Sequence, residues 1–360
     1  MVGMFLAAAT VARANGVLLV SGYNSDNVHR FNADTGAVIG TMGAGGNLNG
    51  AQAVTVGPDG RLYVCSEEAD RVLRYDRTTF AYIDEFIVNI PATPGDETGG
   101  LDGPTGILFT PSGTLLVASF NTDSVKKYDG TTGVYLGDFV TAGSGGLDGP
   151  DWGITFGPDG NFYVPNYFGN QILRYNGMTG VFMGIFINTA AAPANLTHPR
   201  QILFRPGCGD ALVNSEATNR ILRYNATTGA FIGQFGGSVI TPTGMAIGPD
   251  DNLYITNLNA SAVVRWNGAT GAGMGSLVPN TMNGGLLNPV ALRFLPIPAD
   301  ANCDNGVGNG DLEAFIEQLL DPVGYMAVHP NCDPAACDLN SDGSVDGLDI
   351  PRFLDLIICG

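Results

Sequence analysis

Short apolar runs separated by turns make up most of the chain. In residues 71–75, Leu73 and Tyr75 alternate with Val72 and Arg74, and such runs are rich in β-branched and aromatic residues, which is typical of β-strands. The turns carry Gly-Pro-Asp-Gly or an Asp/Asn-x-x-Thr-Gly phrase, which supply a proline with preset φ, a side chain that caps its own backbone and a glycine for positive φ. This pattern predicts β-hairpins rather than helices.

The hairpins form a repeat. A phrase such as RVLRYDRTTF recurs with its aromatic residue 42 to 53 positions further on each time, and a second phrase such as AVTVGPDGRLYV lies between the copies. Each unit therefore holds four short strands, which matches a blade of a β-propeller. The aromatic residues that mark the six copies are Phe31, Tyr75, Tyr128, Tyr175, Tyr224 and Trp266.

Counting the strands predicts six blades. The chain enters at residues 17–20 with a phrase typical of a second strand, so the run at residues 290–294 should complete the first blade. A ring closed in this way leaves no dangling strand at its ends. The predicted innermost strands are residues 53–56, 107–109, 154–156, 202–204, 245–247 and 290–294.

These units resemble those of secreted bacterial propellers of the NHL type. Residues 103–133, which read GPTGILFTPSGTLLVASFNTDSVKKYDGTTG, carry the resemblance, and it extends over about 280 residues. The resemblance implies a mainly β, six-bladed propeller over residues 15–298. It implies no single function, because this fold hosts lyases, lactonases, binding modules and scaffolds.

One face of the ring should collect the residues that break the repeat. Strands alternate in direction, so the loops before each innermost strand and after each second strand open on the same face, which we call the mouth. We expect a small ligand, if one binds, to bind there. The mouth residues are Gln52, Asp102, Asp148, Asp151, Trp152, His198, Arg200 and Asn288 from the first loop set, and Tyr23, Glu67, Glu68, Phe120, Tyr167, Phe168 and Glu216 from the second.

Three interpretations of the mouth remain open. His198 with Asp151 or Glu216 could mimic the histidine and acid pair of the virginiamycin B lyase group, which is similar in fold. Trp152, Tyr167 and Phe168 could instead hold a glycan or peptide. Asp102 and Asp148 lie in two GGLDGP loops, where they are either calcium ligands or parts of plain turns.

Few other residues indicate chemistry. His198 is the only histidine of the mouth, whereas the zinc lyases of the NHL group need several. His29 occupies a leucine position of the repeat, so we expect it to be a packed strand residue. No common nucleophile or phosphate-binding motif appears.

Two segments near the C-terminus have the oxygen-ligand spacing of EF-hand calcium loops. Residues 338–349 read DLNSDGSVDGLD and residues 300–311 read DANCDNGVGNGD, and each segment continues into an amphipathic stretch of helical length. We therefore predict two bound Ca²⁺ ions. The proposed ligands are Asp338, Asn340, Asp342, Ser344, Asp346 and Asp349 in the stronger loop and Asp300, Asn302, Asp304, Gly306 and Asp311 in the weaker one.

The paired loop-helix units resemble a dockerin, in particular the dockerin-like C-termini of secreted planctomycete-type proteins. The resemblance covers residues 299–360 and includes the phrase DPVGYMAVHPNCD between the halves. It implies a small α-helical unit that ties the protein to a cohesin-like partner outside the cell. A purely structural calcium site is the alternative, because so short a segment buries little core.

The cysteines are also concentrated in the C-terminal segment. Four of the six cysteines lie after residue 298, and in an exported protein we expect them to be oxidised, with Cys332–Cys337 and Cys303–Cys337 as the candidate bridges. Cys65 continues a strand and Cys208 lies in a turn on the face opposite the mouth, so we expect both to be unpaired.

Charge and the N-terminus limit the partners. The formal net charge is −18, of which residues 299–360 carry −11 from ten Asp, two Glu and one Arg, and this excludes a basic nucleic-acid-binding protein. No apolar run is long enough to span a membrane. Residues 1–14 predict a cleaved secretory signal, with a truncated reading frame or a retained apolar extension as alternatives.

Three functions are compatible with these patterns. We favour a non-catalytic extracellular structural or adhesion protein, which associates with itself or is tethered by calcium into a surface layer, tube or filament. The alternatives are a secreted lyase or hydrolase that uses His198, and a glycan-binding or peptide-binding module.

Overall fold

The computed structural model describes residues 16–88, 98–188, 195–205, 207–295, 299–302, 307–329, 332, 334–339 and 344–359. The prediction made for residues 1–14 falls outside these ranges. The described part is mainly β, with six four-stranded antiparallel sheets followed by three α-helices. No described helix is long and apolar enough to cross a membrane.

Each sheet is one blade, and the blades follow one another around a ring. Blade 1 contains β1 (Val17–Gly22), β2 (Asn27–Asn32) and β3 (Val38–Thr41), and blade 2 contains β4 (Ala51–Val56), β5 (Leu62–Ser66), β6 (Arg71–Tyr75) and β7 (Tyr82–Ile87). Blade 3 contains β8 (Pro104–Phe109), β9 (Thr114–Ser119), β10 (Ser124–Asp129) and β11 (Tyr135–Val140). Blade 4 contains β12 (Thr155–Phe156), β13 (Phe162–Asn166), β14 (Gln171–Tyr175) and β15 (Phe182–Ile187).

The last two complete blades repeat the arrangement. Blade 5 contains β16 (Ile202–Arg205), β17 (Asp210–Ser215), β18 (Arg220–Asn225) and β19 (Phe231–Phe235). Blade 6 contains β20 (Pro242–Ile247), β21 (Leu253–Asn257), β22 (Ala262–Trp266) and β23 (Gly273–Val278).

The ring is closed by the last strand of the chain. β24 (Pro289–Leu295) pairs antiparallel with β1, with Leu18 opposite Phe294, and so becomes the innermost strand of blade 1. This confirms the prediction of a six-bladed ring closed by its C-terminal strand. His29 is 3% exposed on β2, as expected of a packed strand residue.

Aromatic side chains fill the spaces between blades. Tyr63 of blade 2 meets Phe86 of its own blade and Phe109 of blade 3 edge-on, at ring-centroid distances of 5.0 and 4.9 Å. Tyr163, one hundred residues later in the chain, repeats the arrangement between blades 4 and 5. The aromatic positions of the repeat are therefore explained by packing between blades, where such pairs add to simple burial.

A hydrogen bond joins each blade to the next at the mouth. In every case a residue with positive φ in the loop after the second strand accepts the backbone N–H of a residue in the following blade, at 2.7 to 3.3 Å. We call these six bonds the blade latches. They are Asp26–Gly50, Asp70–Gly103, Asp123–Gly149, Asn170–His198, Asn219–Thr241 and Ser261–Asn288.

The segment after the ring contains α1 (Asn309–Leu320), α2 (Pro322–Val328) and α3 (Ile350–Cys359). Its buried cluster consists only of residues after 298. Phe315 of α1 and Phe353 of α3 stack face to face, with ring centroids 3.9 Å apart. They occupy the same position after each EF-hand-like segment, so the two loop-helix units pack as a related pair.

Candidate functional site

Two sets of equivalent positions build the mouth. Each blade contributes one residue near the start of its innermost strand and one residue directly after its second strand. Most of these positions depart from any consensus, so the mouth is chemically uneven although the ring is regular. The first set is Gln52, Thr105, Asp151, Arg200, Thr243 and Val290, and the second is Tyr23, Glu67, Phe120, Tyr167, Glu216 and Leu258.

Trp152 reaches across the channel below the mouth. Its indole Nε1 donates a hydrogen bond of 3.1 Å to the carbonyl oxygen of Thr243, two blades along the ring. A Cβ atom on Gly106 would lie 2.8 Å from the Trp152 carbonyl oxygen, so this approach requires glycine. Trp152 also lines a cavity of about 310 Å³ between the innermost strands of five blades. It belongs to the channel wall rather than to an open binding ledge.

Arg200 is the centre of the charged part of the mouth. Its guanidinium donates to Glu216 through Nε and to Asp151 through Nη1, at 3.1 Å for the latter, and it lies over the Tyr167 ring at 5.0 Å from the centroid. The Arg200 side chain is 16% exposed and that of Asp151 is 0% exposed. Burial raises the pKa of Asp151 to about 6, while Arg200 acts in the opposite direction. We call this group the Arg200 clamp.

His198 stands beside the clamp but is not paired with its carboxylates. The imidazole stacks on Tyr167 with centroids 4.3 Å apart and an angle of 18° between the planes. Among the described residues, it makes no hydrogen bond to Asp151 or Glu216, because both carboxylates are bound by Arg200. The histidine and acid pair suggested by the sequence is therefore adjacent in space, without the contact that a general base requires.

The backbone at His198 is unusual. Its φ is +51°, at the latch position that glycine occupies in blades 2, 3 and 4 as Gly50, Gly103 and Gly149. A residue with a Cβ atom pays steric strain in this conformation. The latch with Asn170, at 2.8 Å, holds the loop in place and directs the imidazole toward Tyr167.

A second polar group lies at blade 2. The Gln52 amide donates to Glu67, and the Tyr23 hydroxyl donates to Glu68. Burial is the main cause that raises the pKa of Glu67 to about 7; nearby Asp151 and Glu68 add to it, and the Gln52 hydrogen bond and Arg200 oppose it. Gln52 is 3% exposed, and its Oε1 has no hydrogen-bond partner among the described residues.

An aromatic ledge lies between these two polar groups. Phe120 is 5.8 Å from Tyr167 and 5.5 Å from Phe168, measured between ring centroids. Phe168 is 53% exposed, so its ring is accessible from the mouth. The ledge is defined by Phe120, Tyr167 and Phe168.

Asp102 and Asp148 occupy equivalent exposed turns of the mouth. The Asp102 carboxylate accepts a hydrogen bond of 2.7 Å from the Asn121 amide. Across the part of the chain that the structure describes, no three His, Cys, Asp or Glu side chains are grouped closely enough to hold a metal ion. Calcium binding by these two turns remains a prediction.

The EF-hand-like segments are partly described. Asp311 accepts the backbone N–H groups of Asn302 and Gly308 at 3.0 and 2.7 Å. Asp349 does the same for Leu339 and Asp346 at 2.7 and 2.9 Å. These carboxylates, at the last position of each segment, therefore bridge both ends of their loops. Asp304, Gly306, Asn340 and Asp342 lie outside the described residues.

The described carboxylates of these loops have the chemistry that calcium requires. Asp300, Asp311, Asp338 and Asp349 are all buried. The only arginine after residue 298 is Arg352, which is exposed, and there is no lysine. Buried carboxylates of this kind suit a hard divalent cation, which prefers oxygen ligands.

Two of the tail cysteines belong to the buried cluster of the segment after the ring. Cys332 and Cys337 are buried within it but are not bonded to each other, so the predicted Cys332–Cys337 bridge is wrong. The other predicted bridge involves Cys303, which lies outside the described residues. In the ring, Cys65 is buried and Cys208 is exposed on the face opposite the mouth.

Comparisons with known proteins show the fold of the chain and assign it to no narrower class. No protein-family model and no curated protein sequence matches the chain. Solved structures do match, and they show that the chain has a six-bladed propeller fold shared by both enzymes and non-enzymes.

Three solved structures illustrate the likeness. A chain of a nidogen/laminin complex is 17% identical, with a TM-score of 0.59 over 77% of this chain and 97% of that one. A protein of unknown function from Bacteroides caccae is 15% identical, with a TM-score of 0.56 over the same shares. A streptogramin B lyase is 16% identical, with a TM-score of 0.51 over 72% of this chain and 78% of that one.

Proposed function

We propose that this chain is a non-catalytic adhesion protein of the cell exterior. In this proposal the mouth recognises a partner, and the calcium-loaded C-terminal unit attaches the protein to a surface layer, tube or filament. The attachment partner is either another copy of the chain or a cohesin-like protein.

The Arg200 clamp is the observation that carries the proposal. The two carboxylates best placed to assist a catalytic histidine, Asp151 and Glu216, are both bound by one guanidinium. The imidazole of His198 is stacked on Tyr167 instead of being hydrogen-bonded to an acid. A rigid, fully paired cluster of this kind suits recognition, because its side chains are held in place before a ligand arrives.

The fold and the tail add support. A chain of a nidogen/laminin complex has the same fold, so a six-bladed ring of this size can serve in a protein complex. The four buried tail carboxylates favour calcium, and calcium would also stabilise a unit too small to rely on its apolar core. Export is supported by the signal-like residues 1–14 and by the cysteine-rich tail.

Electron microscopy and light scattering of the full chain test this proposal. With millimolar Ca²⁺ we expect ordered multimers or co-assembly with cohesin-like proteins, and with a chelator we expect dispersion. In the presence of Ca²⁺, the double variant Asp311→Asn, Asp349→Asn should be dispersed, as the native chain is in chelator. The exposed Glu313→Gln on α1 is the control, because it removes a carboxylate from the same unit without changing a proposed ligand. Monodisperse monomers under all conditions, with no binding to any cohesin, would contradict the proposal.

A lyase remains a second candidate, supported by one observation. His198, Tyr167, Asp151 and Glu216 meet at one point of the mouth, and a streptogramin B lyase shares the fold. Mass spectrometry of streptogramin B incubated with the protein checks this directly. Absence of turnover, or turnover that survives His198→Ala, would exclude a lyase that depends on this histidine.

A further inference from the structure

The charge of the mouth is strongly unbalanced. Apart from the aspartates of the blade latches, the mouth positions carry six carboxylates, and Arg200 is the only arginine or lysine among these positions. Arg200 is already bound to Asp151 and Glu216. Among the described residues, Glu67 and Glu68 have no basic side chain within ion-pair distance. The carboxylates of the mouth are Glu67, Glu68, Asp102, Asp148, Asp151 and Glu216.

An unused hydrogen-bond acceptor lies beside Glu67. Gln52 is 97% buried, and its amide N–H donates a hydrogen bond to Glu67. The amide oxygen, Oε1, is part of the same polar group at blade 2. It has no donor among the described residues. Buried acceptors without a donor are rare in native proteins and indicate a missing partner. Here the missing partner must donate a hydrogen bond and be compatible with the negative charge of Glu67.

A metal ion fits this position poorly. The mouth carboxylates of the described chain do not converge as a chelating group, whereas calcium needs six or more oxygen ligands. An ammonium or guanidinium group donates separate hydrogen bonds to several acceptors and has no acceptor of its own. The aromatic ledge begins with Phe120 in the next blade and continues to Phe168 in the blade after it, where it can cover the aliphatic part of a peptide.

We propose that the mouth binds a lysine or arginine side chain of a partner polypeptide, which donates to Glu67 and to Gln52 Oε1 while its neighbouring residues pack on Phe168. This inference rests on the proposed recognition function of the mouth. Another copy of the chain is a poor source of a lysine side chain. Its only lysines are Lys126, which is buried and paired with Asp138 at 3.0 Å, and Lys127, which is half-buried.

The state of Glu67 agrees with this assignment. Burial, with the added charges of Asp151 and Glu68, raises its pKa to about 7. The ionised form of Glu67 is therefore disfavoured in the free protein. A cationic side chain at this point would stabilise the ionised form.

Calorimetric titration with short peptides tests the inference. The probes are acetylated and amidated Gly-Phe-X-Gly peptides in which X is lysine, arginine or norleucine, added to the full calcium-loaded chain. We expect the lysine or arginine peptide to bind roughly tenfold or more tightly than the norleucine peptide, because the norleucine side chain cannot donate a charged hydrogen bond. Comparison of the lysine and arginine peptides shows which cation the mouth prefers.

Three variants locate the binding. Glu67→Gln should weaken the cationic peptides about tenfold, and Gln52→Met, which keeps size and removes the acceptor, should weaken them severalfold. Asp251→Asn, in an exposed turn on the opposite face, removes the same charge as Glu67→Gln and should change little. A thermal melt of each variant verifies that it folds, and Glu67→Gln remains informative if Gln52→Met does not.

Three results would overturn the inference. These are equal binding of the norleucine peptide, equal weakening by Asp251→Asn and Glu67→Gln, or no binding of any peptide. The first would leave the mouth as a recognition site for another ligand. None of them would affect the calcium-dependent assembly measured by microscopy, so the two proposals fail separately.

Discussion

Single residues in the mouth differ most from what the repeat would place there. Thr105 and Thr243 use their hydroxyls to bind the carbonyl oxygen of the next blade, at 3.0 and 2.7 Å. Asp151 and Arg200 occupy the equivalent position in their own blades and pair with each other instead. Alignment of the six loops could have singled out this position, but it could not have shown which residues pair.

His198 allows a test of backbone strain. At φ +51° glycine is the least strained residue, so His198→Gly should be about 1 kcal/mol more stable than His198→Ala, although both lose the stack on Tyr167. Urea denaturation measures the difference. The exposed residue Leu136 of β11, whose φ is not positive, should show the opposite order for its alanine and glycine variants. Equal stability of the two His198 variants would contradict the strained geometry.

At the level of elements, the blade latches explain why a ring of short sheets is held in register. Each latch places an Asp, Asn or Ser with positive φ where it satisfies a backbone N–H of the next blade. Asp and Asn tolerate this conformation better than most residues and also accept hydrogen bonds. The polar turn residues after the second strands therefore have a structural role between blades, in addition to forming the turn.

The latch at Asp123 gives a prediction with an internal control. Asp123→Ala removes the acceptor for the Gly149 N–H, now at 2.8 Å, and should cost about 1–3 kcal/mol of unfolding free energy. Asp123→Asn keeps an acceptor, as Asn170 and Asn219 do in the next two blades, and should stay within about 0.5 kcal/mol of the native chain. Denaturant titration of the three proteins provides the comparison. Equal losses for the two variants would show that the latch oxygen contributes nothing.

On the scale of the whole molecule, the ring and the tail have different sources of stability. The ring buries aromatic and aliphatic side chains between all six blades and is closed by β24. The tail has one small cluster and four buried carboxylates. We therefore expect the tail to depend on calcium and the ring to be indifferent to it.

This difference predicts two separate transitions. Asp349→Ala should weaken calcium binding by about tenfold or more and reduce the helical signal, because it removes the residue that bridges its loop. The unfolding temperature of the ring should not change. Calcium titration and circular dichroism check the first part, and calorimetry checks the second. A shared shift of both transitions would show that the ring and tail unfold together.

Much of the fold was predictable because its causes are local. Turn phrases such as Gly57–Gly60 and the alternation in β6 specify hairpins within one blade, and the repeat then counts the blades. Closure by residues 290–294 was also predictable, since the first blade otherwise lacks an innermost strand. The spacing of the tail carboxylates is local too, which is why Asp311 and Asp349 could be singled out as the last residues of two candidate loops before their contacts were known.

The sequence by itself determined the propeller, its six blades, the face that carries unusual residues and the two candidate calcium loops. Only the tertiary structure decided that Arg200 binds both Asp151 and Glu216, that Trp152 turns into the channel and that Gln52 is left with an unused acceptor. These contacts join residues from different blades. No local propensity encodes them, because they depend on how the closed ring places distant loops side by side.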